Sequence, residues 1–379
     1  MLLNIFNILI ITFIYKMNTK EKRQLKKLPE KISLGYCSWG QTDDMIIDAV
    51  KNGLNIVIWF SIDMTTDPVT KKPKFARGPD YKKVASQIKK MKQQGYTDVI
   101  HLISIGGWNS PHVSVLNTAE EYYEEFERFN KEISTEDGFF EGFDGIDWDI
   151  EGNDKLESPY NKFTFAELDL MGEFSQIMKD NGYIVSMAPS ESYVDYRTDE
   201  YSLNLTYCHK EWQSEAKNFF YHGKNVYTYL IKKYEKTYKD LDTFDFISIQ
   251  LYEGYSHALH DYTRKGISFA DILYNLYNNI TNGYEVDFSQ EKGSGMGRTL
   301  VQIDKSKLVI GLANGWAKDR FLFVNEEDII NAYKALKAKG GDVRGFMYWD
   351  IADEGKIPEG GHEPFYMSKV FNKLFNIRK

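Results

Sequence analysis

Three acidic residues stand two positions apart near the middle of the chain, within the run Asp-Gly-Ile-Asp-Trp-Asp-Ile-Glu at 144–151. In a β-strand alternate side chains share a face, so Asp147, Asp149 and Glu151 are expected on one face and the hydrophobic residues between them on the other. Crowded carboxylates repel one another and lose hydration, so they cannot all stay ionised. The spacing predicts acid–base chemistry, with Glu151 at the end of the run as the general acid.

Two other roles for this run fit less well. An exposed edge strand carries charge to prevent pairing, but it favours Lys and has no need of a Trp on its other face. An EF-hand calcium loop needs a Gly at its sixth position and spreads its ligands over a loop instead of a strand. We therefore predict that the acidic run binds no metal ion, and we expect no metal ion and no cofactor elsewhere in the chain.

The composition limits the class of ligand. The net charge is −8 and the pI is near 5.5, which argues against a nucleic-acid partner and against general attraction to anionic membranes. The chain has 26 Tyr, 24 Phe and 7 Trp, and the apolar faces of sugar rings stack on such side chains. A neutral or cationic ligand fits this balance. With 379 residues and 42% hydrophobic content, the chain can form one large domain or two small ones.

The first 31 residues are predicted to lie outside the folded domain. Residues 2–15 form an uncharged apolar run, too short to span a bilayer and about the length of a signal-peptide core. No Lys or Arg precedes it and no clean cleavage site follows it, so an uncleaved anchor stays open. We divide the chain into a signal peptide and basic lead-in at 1–31 and a catalytic domain at 32–379. The protein is expected to be secreted, with no stable membrane partner after processing.

The cysteine content excludes a disulfide scaffold. Only Cys37 and Cys208 occur. They form either one bridge or two separately buried thiols, and the sequence leaves both open because Cys37 lies in a predicted core strand.

From residue 32 onward, short β-branched or aromatic runs alternate with amphipathic stretches. The predicted strands cover 32–39, 54–60, 98–105, 143–150, 183–188, 244–252, 307–313 and 344–349. The predicted helices cover 43–52, 81–94, 119–133, 163–181, 224–237, 269–279, 326–339 and 365–375. Eight successive units favour a closed (β/α)8 TIM barrel over an open sheet, with enlarged loops after strands five and six. The active site of such a barrel lies at the C-terminal strand ends, where Glu151 follows the fourth strand.

Several other predicted strands end in residues suited to lining a pocket. Paired glycines after the third strand indicate a close backbone approach or a special turn. Because all eight C-terminal strand ends meet at one mouth, these residues are expected to line one pocket. They are Ser104, Gly106, Gly107 and Trp108 at strand three, Met187 at strand five, Gln250 and Tyr252 at strand six, and Trp349 at strand eight.

Two motifs carry a family resemblance. The run at 144–151 matches D-x-x-D-x-D-x-E, and residues 104–107 match S-x-G-G. In both, the chain resembles the family 18 glycoside hydrolases, which include many chitinases and related endo-β-N-acetylglucosaminidases. Tyr252 is similar to the family's strand-six tyrosine and Trp349 to its strand-eight tryptophan. The resemblance runs from about residue 32 to the C-terminus and implies a TIM-barrel glycosidase.

The resemblance also implies a retaining, substrate-assisted mechanism, an exception to the usual pair of enzyme carboxylates. Glu151 would protonate the glycosidic oxygen while the sugar's own 2-acetamido oxygen attacks the anomeric carbon. Asp149 would hold the acetamido N–H and balance the charge of the resulting oxazolinium ion, sharing a proton with Asp147. Tyr252 would donate to the acetamido oxygen. The implied substrate is chitin or an N-acetylglucosamine oligosaccharide, and no cofactor is implied.

Further site residues follow from the same resemblance. Trp349 would form the floor under the distorted sugar, and Gln250 would orient Tyr252. Tyr36, at the end of the first strand, would reach Asp147. The predicted substrate-binding residues are Trp349, Gln250, Tyr36, Gly107, Trp108 and Met187; the supporting residues are Ser104, Gly106 and Asp144, which is out of phase with the acidic ladder and would shape the start of its strand.

The connection between the seventh and eighth strands is about 30 residues long, too short for the small α+β insertion of one branch of the family. We therefore expect a relatively shallow groove and a short, single-domain, monomeric form without an appended chitin-binding module. The abundant Lys, Asn, Ile and Tyr would suit a secreted chitinase of a protozoan parasite with an AT-rich genome.

Three functions remain in competition. The leading hypothesis is an endochitinase that cleaves β-1,4 bonds between N-acetylglucosamine units. An endo-β-N-acetylglucosaminidase acting on N-glycan cores would use the same catalytic residues, and the sequence barely separates the two. A chitin-binding lectin on the same barrel would have lost the acid, whereas Glu151 is present.

Overall fold

Eight parallel strands close into a barrel in the computed structural model, which describes residues 26–207, 222–254, 256–318, 320–354 and 363–378. The strands are β1 (Ile32–Tyr36), β2 (Ile56–Thr66), β3 (Pro73–Arg77), β4 (Ile100–Gly107), β5 (Gly145–Ile150), β6 (Ile184–Met187), β7 (Phe246–Gln250), β8 (Tyr284–Asp287), β9 (Arg298–Val301), β10 (Leu308–Ala313) and β11 (Gly345–Trp349). The barrel order is β1-β2-β4-β5-β6-β7-β10-β11, and β11 pairs with β1 to close it. The predicted (β/α)8 barrel is confirmed.

Helices follow the barrel strands. Within the described ranges they are α1 (Met45–Lys51), α2 (Tyr81–Gln93), α3 (Ala119–Glu132), α4 (Phe165–Asp180), α5 (Thr228–Lys233), α6 (His257–Thr263), α7 (Phe269–Asn282), α8 (Glu326–Ala338), α9 (Ile351–Glu354) and α10 (Tyr366–Phe375). The sequence sets several of their starts: Thr118 and Thr164 each form a capping box with a Glu three residues later. Residues 314–318 and 320–344, between β10 and β11, hold a short 3-10 turn and α8 but no insertion domain, as predicted.

The hydrophobic core lies mainly between the outer face of the barrel and the helices. Trp148 on β5 belongs to it: the indole is fully buried and its Nε1 donates to Ser175 Oγ on α4 at 2.8 Å. Removing such a side chain by mutation to Ala typically costs about 3–5 kcal/mol. Cys37, just after β1, is a buried free thiol, while Cys208 lies outside the described residues.

One departure from the predicted elements is an arm on β2. The strand was expected at 54–60 but continues to Thr66 and pairs with β3 as an antiparallel hairpin. Phe75 on β3 packs edge-on against Phe126 of α3, with ring centres 5.6 Å apart. Aromatic contact with the helix layer therefore stabilises this hairpin, which lies outside the predicted strands.

The enlarged loops after the fifth and sixth barrel strands contain the other departures. β8 and β9 form an antiparallel hairpin in the loop after β7. α5 begins later than the predicted helix at 224–237 because Asn225 adopts a left-handed φ of 59°, and it ends at Lys233. Asn225 Nδ2 donates to the carbonyl oxygens of Thr198 and Glu200, both at 3.0 Å. Asn225 thus holds the loop after β6 in place, although the sequence predicted it at the start of a helix.

The end of the basic lead-in contacts the barrel. Lys26 Nζ donates to Asp144 Oδ2 at 2.8 Å, and the same oxygen accepts from the backbone N–H of His101 at 2.9 Å. Burial acts to raise the pKa of Asp144, but the Lys26 charge and these hydrogen bonds hold it below its usual value. Asp144 therefore fixes the start of β5, and the boundary at residue 31 stays a prediction.

Candidate active site

The acidic run forms β5 and the residue that follows it, and its carboxylates face the barrel interior. Asp147 and Asp149 are buried and bonded to side chains of other barrel strands, whereas Trp148 between them contacts a helix. The pleat of the strand produces this alternation. Glu151 extends the column to the C-terminal mouth, where its Oε1 lies 3.4 Å from Gln250 Nε2.

Asp147 is the deepest of the three carboxylates. Tyr36 O–H on β1 donates to its Oδ2 at 2.5 Å, and Ser186 O–H on β6 donates to its Oδ1 at 2.6 Å. Ser104 on β4 and Ser186 pair in register with Asp147 from either side, so the three residues share the inner face. With both oxygens held by hydroxyl donors, Asp147 can influence a ligand only through Asp149.

Gln250 on β7 connects the upper two carboxylates. Its Nε2 donates to Asp149 Oδ1 at 2.8 Å and to the carbonyl oxygen of Ala188 at 2.7 Å. The same nitrogen makes a longer contact of 3.4 Å with Glu151 Oε1. The family resemblance implied that Gln250 orients Tyr252. In the structure the amide is instead directed at the carboxylates, because Ala188 fixes it on the β6 side of the barrel.

Burial gives this column unusual protonation. It raises the pKa of Asp147 to about 7 and, together with the charge of Asp147, raises that of Asp149 to about 8. Burial and the hydrogen-bonded Asp149 raise the pKa of Glu151 well above its usual range. Burial thus favours the protonated form of Glu151, at the end of the column that faces the mouth. A carboxylic acid in that state can act as a general acid.

The mouth holds a cavity of about 330 Å³, at the small end of the range of roughly 300–1,000 Å³ typical of ligand sites. Asp149 and Glu151 form part of its wall, and most of the rest is aromatic. Such walls bind the apolar faces of ligand rings, and the few polar groups orient them. The lining residues are Trp39, Phe60, Trp108, Asp149, Glu151, Asp154, Ser190, Tyr193, Gln250, Tyr252, Glu253, Gly254, Trp316, Phe321 and Trp349.

Trp349, at the end of β11, is held from two sides. The ring of Phe60 meets its indole at 74°, with ring centres 4.7 Å apart. Trp316 Nε1 donates to the carbonyl oxygen of Trp349 at 2.8 Å. These contacts place a large, half-buried aromatic surface across the cavity from the acidic column.

Tyr252 follows β7 and lines the cavity next to the acids. Its ring meets that of Trp316 at 83°, with centres 6.2 Å apart. Burial raises the pKa of its phenol well above the usual value, and the charge of Glu253 adds to the effect. Tyr252 therefore stays a neutral O–H donor throughout the physiological pH range.

The glycine pair after β4 allows two close approaches. A Cβ on Gly106 would lie 2.6 Å from the carbonyl oxygen of Asp149, and one on Gly107 would lie 2.2 Å from Phe60 Cζ. Both glycines have positive φ, 111° and 101°. The pair thus lets β4 lie against the acidic strand and against a ring that lines the cavity.

Gly107→Ala tests this packing. We expect it to lower the free energy of unfolding by more than the roughly 1–3 kcal/mol of backbone strain alone, because Phe60 must also move. Gly340→Ala is the matched control: its φ is 81°, but nothing lies within 4 Å of the added Cβ. Urea denaturation measures both variants, and equal losses would contradict a specific role for the Phe60 contact.

Met187 and Trp108 differ in their relation to the cavity. Met187 pairs in register with Trp148, is fully buried and is not among the lining residues, so the structure places it in the outer core instead of at a ligand. The expectation that it contacts substrate is therefore corrected. Trp108 does line the cavity, and its Nε1 donates to Asp154 Oδ1 at 2.9 Å.

Solved structures of similar fold were found. A family GH18 chitinase from Chromobacterium violaceum aligns with a TM-score of 0.58 at 15% identity, covering 92% of this chain and 84% of that one. The C-terminal domain of ChiA from Legionella pneumophila gives 0.57 at 15% identity, with 91% and 98% covered. A GH18 chitinase from Pseudoalteromonas aurantia gives 0.53 at 14% identity, with 90% and 99% covered.

The likeness shows a shared barrel fold. Neither a family model nor a curated protein matches the sequence. In the part of the chain that the structure describes, no helix is long and apolar enough to cross a membrane.

The sequence missed several residues of the site. Trp39 and Trp316 line the cavity but were not predicted. Each stands at or just after the C-terminal end of a predicted strand, the same position that indicated a pocket role for Trp349. Tyr227 carried no such signal. It lies 77 positions from β5, yet its hydroxyl accepts from the N–H of Ile150 at 3.0 Å and donates to the carbonyl oxygen of Ile150 at 2.9 Å. It therefore fixes the end of β5 just before Glu151.

Proposed function

We propose that this protein is a glycoside hydrolase, an endochitinase that cleaves β-1,4 bonds between N-acetylglucosamine units with retention of configuration. The observation that carries the proposal is the buried Glu151 in the wall of an aromatic cavity, next to a second buried acid, Asp149, which raises its pKa. The chitinases that share the fold support the same assignment.

In the proposed reaction Glu151 donates its proton to the glycosidic oxygen as the bond to the anomeric carbon breaks. The carbonyl oxygen of the sugar's 2-acetamido group attacks that carbon from the opposite face and forms a cyclic oxazolinium ion. Water then opens the ring at the anomeric carbon, and Glu151 takes up the water's proton. Two inversions at one carbon give net retention without an enzyme nucleophile.

Asp149 stabilises the intermediate in this scheme. When the proton that it shares with Asp147 lies on Asp147, the buried carboxylate of Asp149 accepts the acetamido N–H. It then balances the positive charge of the oxazolinium ion, where low dielectric strengthens the interaction. Asp147 is the neighbour with which Asp149 shares a proton, and Tyr36 and Ser186 keep that neighbour in place. Such a coupled pair titrates as a unit.

The aromatic wall would hold the sugar that reacts. Trp349 supplies the floor for the distorted ring, and Tyr252 donates its O–H to the acetamido oxygen. Trp108 extends the wall on the β4 side. The polar groups in the cavity fix the orientation of the ring, while the stacking surfaces supply most of the contact area.

A panel of substrates tests the proposal. We expect cleavage of N-acetylglucosamine oligomers, with the β-anomer as the first product in proton NMR, and no cleavage of cellulose oligomers. The latter share the β-1,4 geometry but carry a hydroxyl in place of the 2-acetamido group. A first product with the α-configuration would exclude the mechanism.

Adding a high-mannose glycoprotein to this panel decides between the competing functions. Release of the glycan from a high-mannose glycoprotein, with chitin oligomers left intact, would point to an endo-β-N-acetylglucosaminidase. Binding of chitin oligomers without turnover would point to a lectin. The buried Glu151, with its raised pKa, favours an enzyme over a lectin, because a binding protein has no need of a buried acid at its cavity.

We also propose that the protein is secreted as a monomer with a single catalytic domain. The signal peptide and basic lead-in would end at about residue 31, where that domain begins. The apolar run at 2–15, which lies outside the described residues, supports this route. N-terminal sequencing of the mature protein would test it, and an intact Met1 on a cytosolic protein would refute it.

A further inference from the structure

Away from the acidic column, three potential metal ligands converge in the loops above β6 and β7. Nε2 atoms of both His222 and His257 face the same carboxylate oxygen, Asp195 Oδ2, at 3.3 and 3.0 Å. One ligand atom from each residue lies within 4.8 Å of the others, and all three side chains are buried. The mechanism proposed above uses none of them.

The carboxylate of Asp195 is oriented before any ligand arrives. Its Oδ1 accepts from the backbone N–H of Arg197 at 2.9 Å, which leaves Oδ2 directed at the two imidazoles. The rings of His222 and His257 stand nearly perpendicular, at 87°, with centres 5.3 Å apart. A hydrogen-bonded outer shell of this kind is what holds metal-binding carboxylates in place.

The separations suit a small divalent ion. Zinc binds His nitrogen at about 2.0–2.1 Å and carboxylate oxygen at about 2.0–2.2 Å, so neighbouring ligand atoms around a tetrahedral ion stand roughly 3.3–3.5 Å apart. The distance of 3.3 Å from His222 falls in that range, and the 3.0 Å from His257 needs only a small outward shift. Two imidazoles and one carboxylate are a donor set that zinc favours.

We propose that Asp195, His222 and His257 bind one zinc ion. The inference does not depend on the proposed glycosidase activity. It departs from the sequence-based expectation that the chain binds no metal ion. The three ligands stand far apart in the sequence, at spacings that match no zinc motif.

The ion would join two loops that line the cavity. Asp195 lies two residues after Tyr193 in the loop after β6, and His257 begins α6 shortly after Tyr252 and Glu253. Both loops supply walls to the cavity. A metal bridge at their base would therefore stabilise the fold and hold these walls at a fixed separation.

The test begins with the purified full-length chain, stripped with a chelator and then dialysed against ZnCl2. We expect about one zinc per chain by elemental analysis. Zinc at roughly a hundredfold above its Kd is expected to raise the Tm on the order of 5 °C. Less than about 0.2 zinc per chain, with an unchanged Tm, would overturn the proposal and leave a hydrogen-bonded His–Asp–His cluster.

Variants assign the ligands. His257→Gln and Asp195→Asn are expected to lose the bound zinc and the zinc-dependent rise in Tm. His260→Gln, three residues further along α6, is the matched control and should keep both. Circular dichroism shows whether each variant is folded. If a variant is not folded, the zinc content of the wild-type protein decides whether the site exists. Full retention of zinc in both ligand variants would contradict this site.

Discussion

Glu151→Gln is expected to reduce hydrolysis of N-acetylglucosamine oligomers at least about a hundredfold, the usual scale for loss of a general acid. Gln keeps the shape of the side chain and an oxygen that can accept from Gln250 Nε2, now 3.4 Å from Glu151 Oε1. It cannot, however, give a proton to the glycosidic oxygen. Oligosaccharide binding, measured by calorimetry, should persist in the variant.

The matched control is Glu157→Gln, the same chemical change on an exposed residue of the loop that follows β5. It should leave kcat and binding close to wild type. A Glu151→Gln enzyme that keeps near-normal turnover would exclude this residue as the acid. Loss of binding as well as turnover would indicate that the substitution damaged the cavity instead of the proton transfer.

Tyr252→Phe is expected to give the second-largest effect on catalysis. It removes one preorganised donor to the acetamido oxygen, and loss of one such donor costs on the order of 3 kcal/mol of transition-state stabilisation, or about two orders of magnitude in rate. The ring and its packing against Trp316 remain. The loss should therefore appear in kcat, with KM changed much less.

Tyr333→Phe provides the control for Tyr252→Phe. Tyr333 lies on α8, and its O–H donates to Asp342 Oδ1 at 2.9 Å, remote from the lining of the cavity. Its removal also costs one hydrogen bond but should leave kcat unchanged. If Tyr252→Phe raised KM alone, the phenol would serve ground-state binding and not the formation of the oxazolinium ion.

Local patterns in the sequence were enough for the barrel and for the acidic column. Strand pleating puts every second residue on one face, so the positions of Asp147, Asp149 and Glu151 followed from spacing alone. The closed parallel topology followed from eight repeated units. The ends of these strands also indicated that Tyr252, Trp108 and Trp349 would lie at one mouth, because a parallel barrel gathers all its C-terminal strand ends there.

The structural features that the sequence did not predict depend on contacts between residues far apart in the chain. The arm formed by β2 and β3 is held by aromatic packing against α3, and the partial helix α5 is limited by the bonds of Asn225 to the preceding loop. The sequence predicted that Met187 contacts substrate, but its register with Trp148 turns its side chain toward the outer core. None of these outcomes follows from helix or strand propensity, which tertiary contacts override.

The sequence by itself therefore determined the acid ladder, its strand and the barrel that carries it, because each depends on a short repeating geometry along the chain. The family resemblance also implied that Tyr36 reaches Asp147, as it does in the structure. Only the tertiary structure decided how else those acids are held: Ser186 on Asp147, Gln250 on Asp149, and the burial that raises the pKa of Glu151. The loop cluster at Asp195 also appeared only in three dimensions. Long-range hydrogen bonds and desolvation arise when separate strands and loops meet, and no local spacing encodes them.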